Sequence, residues 1–117
     1  MNNNQIVDHD PVHIDAVRAR NDRFRTTLTG GAVLLSAGIV ALGAANQAEI
    51  IAAIRAFDDF DSDDPDDAHA IGDLEVEIEE PGIHRWRELV LFRIDDLIAA
   101  HPDTSGLLLT ILLASEW

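Results

Sequence analysis

Hydrophobic residues recur along this chain in three rhythms. Between residues 10 and 28 the rhythm is helical. Asp10-Pro11 reads as an N-cap followed by a first-turn proline. Ile14, Val17, Phe24 and Leu28 then follow at three- and four-residue steps, with Asn21 interrupting the stripe. This predicts a helix from about residue 11 to 28, preceded by a flexible N-terminus over about residues 1–9. Its Arg18, Arg20, Arg23 and Arg25 crowd the C-terminal half, where the helix dipole favours cations. Gly30-Gly31 ends the pattern. Ala32–Ala37 is short, apolar and continuous, so it reads as a buried strand closed by Gly38. Helical spacing returns with Ile50, Ile51, Ile54 and Phe57, in a helix starting near Ala45 or Asn46.

The second rhythm is strict alternation. Leu74, Val76 and Ile78 interleave with Glu75, Glu77 and Glu79, which predicts a strand with one apolar and one acidic face. Pro81-Gly82 marks a turn, and a return strand runs through Trp86 to about Ile94. The third rhythm is the apolar run near the end. Read with helical spacing, Leu107, Leu108, Ile111 and Leu112 give a last helix facing the core, capped by Asp103, Thr104 or Ser105. The expected fold is α+β: a small antiparallel sheet of about three strands with helices on one face, in the order α-β-α-β-β-α. One domain accommodates all 117 residues.

Charge changes this picture most. The chain carries 22 acidic and 8 basic residues, for a net charge of −14, and every basic residue is arginine. Twelve carboxylates lie between Asp58 and Glu80 with no Lys or Arg among them. Asp58, Asp59, Asp61, Asp63, Asp64, Asp66 and Asp67 crowd a loop around Pro65, and Glu75, Glu77 and Glu79 extend the acid along the strand. Such a block is either a solvated surface or a field for a basic partner. Glutamates on one strand face step by about 6.6–6.8 Å, near every second phosphate of a nucleic-acid strand at about 3.4 Å each. Overall charge of this sign disfavours direct contact with nucleic acid.

The absence of cysteine excludes disulfides, thiolate metal sites and a cysteine nucleophile. The first residues, Met-Asn-Asn-Asn-Gln-Ile, do not form a signal peptide, so a cytoplasmic location is expected. No charge falls between Thr26 and Ala48, but four glycines and several polar residues argue against a membrane span.

Several segments resemble a family of small alphaproteobacterial proteins of unknown function. They are Arg18-Ala-Arg-Asn-Asp-Arg-Phe-Arg-Thr26, Leu35-Ser-Ala-Gly-Ile-Val-Ala-Leu42, Phe57-Asp-Asp-Phe60, Asp64-Pro65 with His69-Ala-Ile-Gly72, and Thr110-Ile-Leu-Leu-Ala-Ser-Glu-Trp117. The chain departs from that pattern between Arg93 and Leu108, where family members carry a different strand end and a longer acidic insert. The resemblance implies the order of elements and supplies neither an activity nor a site.

Known chemistries fit poorly. Asp59, Asp61 and Asp63 open like a calcium loop, but Asp64 and Ala70 stand where glycine and a bidentate glutamate are needed. His9 and His13 are four apart but straddle a helix start; His69, His84 and His101 have no motif partner. Asp95-Asp96 is a carboxylate pair without a cleft to separate two roles. Arg85 and Arg87 are expected to neutralise Glu75 and Glu77 across the hairpin. No phosphate-binding glycine loop, nucleophile elbow or zinc signature is present. No enzyme, cofactor or metal is therefore expected.

Two readings remain open. In the first, the ten acids of the loop and strand form a field that docks on a basic protein surface, such as the groove of a nucleic-acid-binding effector. Small size and acidity then suggest a mobile-element counter-defence inhibitor of the anti-CRISPR or anti-restriction type. In the second, the acid serves solubility, and the chain self-associates as a homodimer through an apolar helix face involving Phe24, Leu28 or Trp117.

Overall fold

The computed structural model describes residues 11–61, 63–80, 82, 84–97 and 106–117, and of residues 11–13 and 84 the backbone alone. The expected flexible N-terminus, His9, His101 and the expected capping residues Asp103, Thr104 and Ser105 lie outside these residues. The elements are α1 (Pro11–Thr27), β1 (Gly31–Leu35), α2 (Ala37–Ala41), α3 (Ala44–Ala56), β2 (Ile71–Glu80), β3 (His84–Asp96), β4 (Leu107–Leu113) and a 3-10 turn (Ala114–Glu116). Fold class and hairpin agree with the sequence reading; strand number and order do not. The sheet has four strands in the order β1-β4-β3-β2, and β1 pairs parallel with β4, so the sheet is mixed.

The largest correction is β4, expected as a helix. Leu107, Leu109, Ile111 and Leu113 are buried on one face, while Leu108, Thr110 and Leu112 are half-buried on the other. A seven-residue run that is apolar on both faces fits either period locally. Its place between β1 and β3 decides for the strand, because both backbone edges find partners there. A second correction concerns β1. It is an edge strand and mostly exposed, not a buried one. Gly31 is required where it starts: a Cβ there would meet the Leu107 carbonyl oxygen at 2.1 Å. A third is α2, a short helix where the sequence pattern predicts only the end of the strand at Gly38.

The helices cover one face of the sheet. Phe24, Ile39, Ile50 and Ile54 pack with Val76, Ile78, Val90, Phe92, Ile94 and alternate residues of β4 in one core. The helix 1 stripe is oriented as its spacing predicts, with Phe24 and Asn21 both buried at 2% exposure. Leu28 ends that helix at φ +58, its N–H bonded to the Phe24 carbonyl. The opposite face of the sheet has no helix upon it among the described residues. It carries the apolar strip Leu34, Leu89, Leu91, Leu108 and Leu112 beside the acidic row of β2. No described helix is long and apolar enough to cross a membrane.

Candidate functional site: a clamped acidic loop and its aromatic groove

The acidic loop between α3 and β2 is short of apolar residues, and its shape comes from hydrogen bonds. Three aspartates fold it locally. Asp61 accepts the Asp63 N–H at 2.9 Å, Asp64 accepts the Asp66 N–H at 2.9 Å, and Asp67 accepts the His69 N–H at 2.8 Å. These are the side-chain turns for which Asp is suited, since its oxygen reaches the backbone two residues on. The second Asp67 oxygen closes the loop by accepting the Asp61 N–H at 3.2 Å.

One face of α1 then holds the loop in place. Arg18 donates to the carbonyls of Asp64 (3.1 Å), Pro65 (3.2 Å) and Asp67. Asn21, the polar interruption of the stripe, donates to the Ala68 carbonyl at 2.9 Å. Asp22 bridges Arg25 at 2.9 Å and His69 at 3.0 Å. Arg25 is almost fully buried and donates to the carbonyls of Ile54 (3.1 Å) and Phe57 (2.7 Å), which satisfies the end of α3. Its guanidinium lies 5.0 Å from the Phe60 ring centroid, and His69 stacks on Phe60 at 4.1 Å. His69 has φ +56, a conformation that costs a non-glycine residue about 1–2 kcal/mol and is held here by these three contacts. Arg18 and Arg25 thus act on the loop, not simply on the helix dipole. A buried Asn within an apolar stripe and flanked by Arg at three- and four-residue steps was the available signal.

Beside the loop lies a groove of about 420 Å³. Phe57, Phe60, Phe92, Leu91, Ile71 and Trp117 supply its apolar lining, and Asp59, Asp61, Asp67 and Asp73 its carboxylates. The three phenylalanines meet edge to face, with ring centroids 4.9 Å (Phe57–Phe60), 5.3 Å (Phe57–Phe92) and 6.4 Å (Phe60–Phe92) apart. Gly72 is what lets them close: a Cβ there would lie 2.4 Å from the Phe92 ring. Phe92 is buried and Phe60 is already stacked by His69, so Trp117 is the open aromatic of the groove; an exposed aromatic ring with carboxylates beside it is the chemistry that receives a guanidinium or ammonium group.

The ten expected partner-binding acids divide into two groups. Asp58, Asp59, Asp61, Asp63, Asp64 and Asp66 are exposed on the loop, while Asp67 is half-buried. Glu75, Glu77 and Glu79 project from the open face of β2, as the alternation predicts. Arg85 pairs with Glu79 at 2.7 Å and Arg87 with Glu75 at 3.8 Å. Cross-strand neutralisation therefore exists, with Glu79 rather than Glu77 as the second acid. The strand is partly neutralised, and the loop holds the denser uncompensated charge.

Of the expected self-association residues, Phe24 is buried in the core and offers no surface, while Leu28 is half-buried against it. Trp117 is 73% exposed. Trp86 is half-buried against the core and donates to Glu88 at 2.9 Å. Asp95 and Asp96 are divided between two arginines, Arg93 (2.9 Å) and Arg20 (3.0 Å). Among the described residues no three His, Asp or Glu side chains gather as metal ligands.

A second cluster lies at the end of β4. Glu116 accepts from the Ser36 hydroxyl (2.6 Å) and from the N–H groups of Gly38 (2.9 Å) and Leu113 (2.8 Å). These bonds hold its carboxyl below the usual value of 4.5, the Ser36 bond contributing most, then Leu113 and Gly38. Contacts thus join residues 18–26 to residues 57–72, and residues 35–42 to residues 110–117. Comparison with protein families, with curated proteins and with solved structures finds no match.

Proposed function

We propose that this protein is a non-enzymatic acidic docking protein. It offers the clamped loop and the adjoining aromatic groove to a basic protein surface, of the kind that otherwise holds nucleic-acid phosphate. The observation that carries this reading is the combination of dense negative charge with a fixed backbone. A solubilising loop has no need of Arg18 and Asn21 bonded to its carbonyls, or of a residue held at positive φ. Fixing the acids beforehand lowers the ordering cost of docking. The groove adds a seat for one arginine or lysine of the partner, next to the field that steers it in. A nucleic-acid-binding effector with a basic groove is the partner class that fits, and inhibition by occupying that groove is the corresponding role. A small counter-defence inhibitor of CRISPR or restriction effectors would act in this way.

An octa-arginine peptide serves as a defined basic probe. Exposed single ion pairs contribute about 0–1 kcal/mol, so Asp63→Asn alone should barely change its affinity. Replacing Asp58, Asp59, Asp63 and Asp66 together by Asn should weaken binding at least about tenfold and flatten its salt dependence. Folding should be unchanged or improved, because self-repulsion is relieved. Unchanged affinity in the fourfold variant, measured by titration calorimetry at low and high salt, would contradict the proposal.

A further inference from the structure

We propose that β1 is a self-pairing edge: two copies join antiparallel through Gly31–Leu35 about a two-fold axis at Val33, making one continuous sheet. The inference is independent of the acidic docking reading and rests on the other side of the molecule.

The backbone alternation of β1 can be read from its ends. The Gly30 carbonyl accepts from the Leu107 N–H at 3.1 Å, and the Ser36 N–H donates to the Ile111 carbonyl at 3.0 Å. In a parallel ladder the inward groups belong to every second residue, so Ala32 and Leu34 also bond toward β4. Gly31, Val33 and Leu35 direct their N–H and C=O groups outward. Among the described residues no strand pairs with that edge. An uncovered row of this kind is a template for another strand.

Three features make a second copy the fitting occupant. First, the register is self-complementary in size. Rotation about Val33 sets Leu35 opposite Gly31 and Leu34 opposite Ala32, so each bulky residue meets a small one, and Val33 meets itself. An antiparallel hydrogen-bonded pair exchanges two bonds, so the three outward residues of each copy satisfy one another completely. Second, charge permits it here. The chain is strongly acidic, yet residues 26–48 carry no charge, so two copies approach at this edge with the least repulsion. The opposite edge is closed to such pairing. Asp73, Glu75, Glu77 and Glu79 line β2, and the Asn46 amide already exchanges two bonds with the Glu79 backbone at 3.1 Å. Third, the strand has no Lys, Pro or bulge to blunt it, and it exposes apolar side chains. Val33 is 37% and Leu34 54% exposed. Pairing would also join the apolar strips of the two open faces at Leu34.

The test uses the full chain. Analytical ultracentrifugation should show a dimer that dissociates on dilution. Val33→Pro removes an outward N–H and leaves the β1–β4 ladder its donors; it should weaken the dimer at least about tenfold. Should that variant fail to fold, cross-linking keeps the proposal testable, because the protein has no cysteine of its own. Positions 32 and 34 of opposite copies form a non-hydrogen-bonded pair, about 4.5 Å apart between Cα atoms, within the range a disulfide spans. A mixture of Ala32→Cys and Leu34→Cys should cross-link at least about tenfold faster than either variant alone. A wild-type chain that stays monomeric at millimolar concentration, or a mixture that cross-links no faster than the single variants, would overturn the proposal.

Discussion

At one edge of the sheet, β2 carries Asp73, Glu75, Glu77 and Glu79 along its outer row, with the Asn46 side chain bonded to the Glu79 backbone. At the other edge, β1 runs Gly-Ala-Val-Leu-Leu without a charge, and its odd-numbered residues turn their backbone outward. The first edge repels a further strand and attracts cations; the second carries no charge and leaves its outward backbone groups unpaired by any described strand. The contrast continues into the flanking segments. The acidic loop next to β2 is held by arginines of α1, whereas the β1 side is tied to the chain end by one carboxylate, Glu116. A single four-stranded sheet thus separates two kinds of surface, one electrostatic and one apolar.

The largest effect expected on this contrast comes from Arg25. Replacing it by Met keeps much of its volume but leaves the Ile54 and Phe57 carbonyls without their buried donor. The cost should be about 3 kcal/mol, read as a lower urea midpoint. The acidic loop should become sensitive to proteolysis before the β1 side does. Loss of protection at both edges together would break the division between them.

A smaller, pH-dependent effect belongs to Glu116. Its folded pKa is lowered, so the stability it contributes is present above the unfolded value near 4.5 and is lost as pH falls through the folded value. The stability difference between the wild type and Glu116→Gln should therefore be constant at neutral pH and shrink below about pH 4.5. A difference that grew on acidification would show that the carboxylate does not bind Ser36 and Gly38 in its charged form. The acidic loop should respond least to single changes. Asp63→Asn should leave the urea midpoint nearly where it was, because exposed charges contribute about 0–1 kcal/mol each.

How much of this was legible in the sequence depended on which interactions decide each element. The helix 1 stripe and the alternation of β2 were readable because local period and burial agree there. The loop was readable as a loop from its aspartates, but its shape was not. Asn21 and Arg25 reach residues far along the chain, and nothing local announces that their partners are backbone carbonyls. The run Leu107–Leu113 could not be assigned from its own residues. It becomes a strand because β1 and β3 lie on either side of it, a fact of topology. The same gap hid the parallel pairing of β1 and, with it, the exposure of that strand. Phe24 was sound as a core position, and for that reason was a poor choice for a surface.

The central claim is that the acid acts as a held surface and not as charge alone, and Arg18 separates the two. Arg18→Gln makes the chain one charge more acidic while releasing the carbonyls of Asp64, Pro65 and Asp67. A field that depends only on net charge would bind octa-arginine as well as before, or better. A held surface should bind it at least about fivefold more weakly, because the loop must then be ordered on docking. The measurement is the octa-arginine affinity of wild type and Arg18→Gln at matched ionic strength, with amide chemical shifts reporting where the peptide sits. Weaker binding of the variant, with wild-type shifts centred on residues 58–73, is the expected result; equal or tighter binding by the variant would contradict the claim.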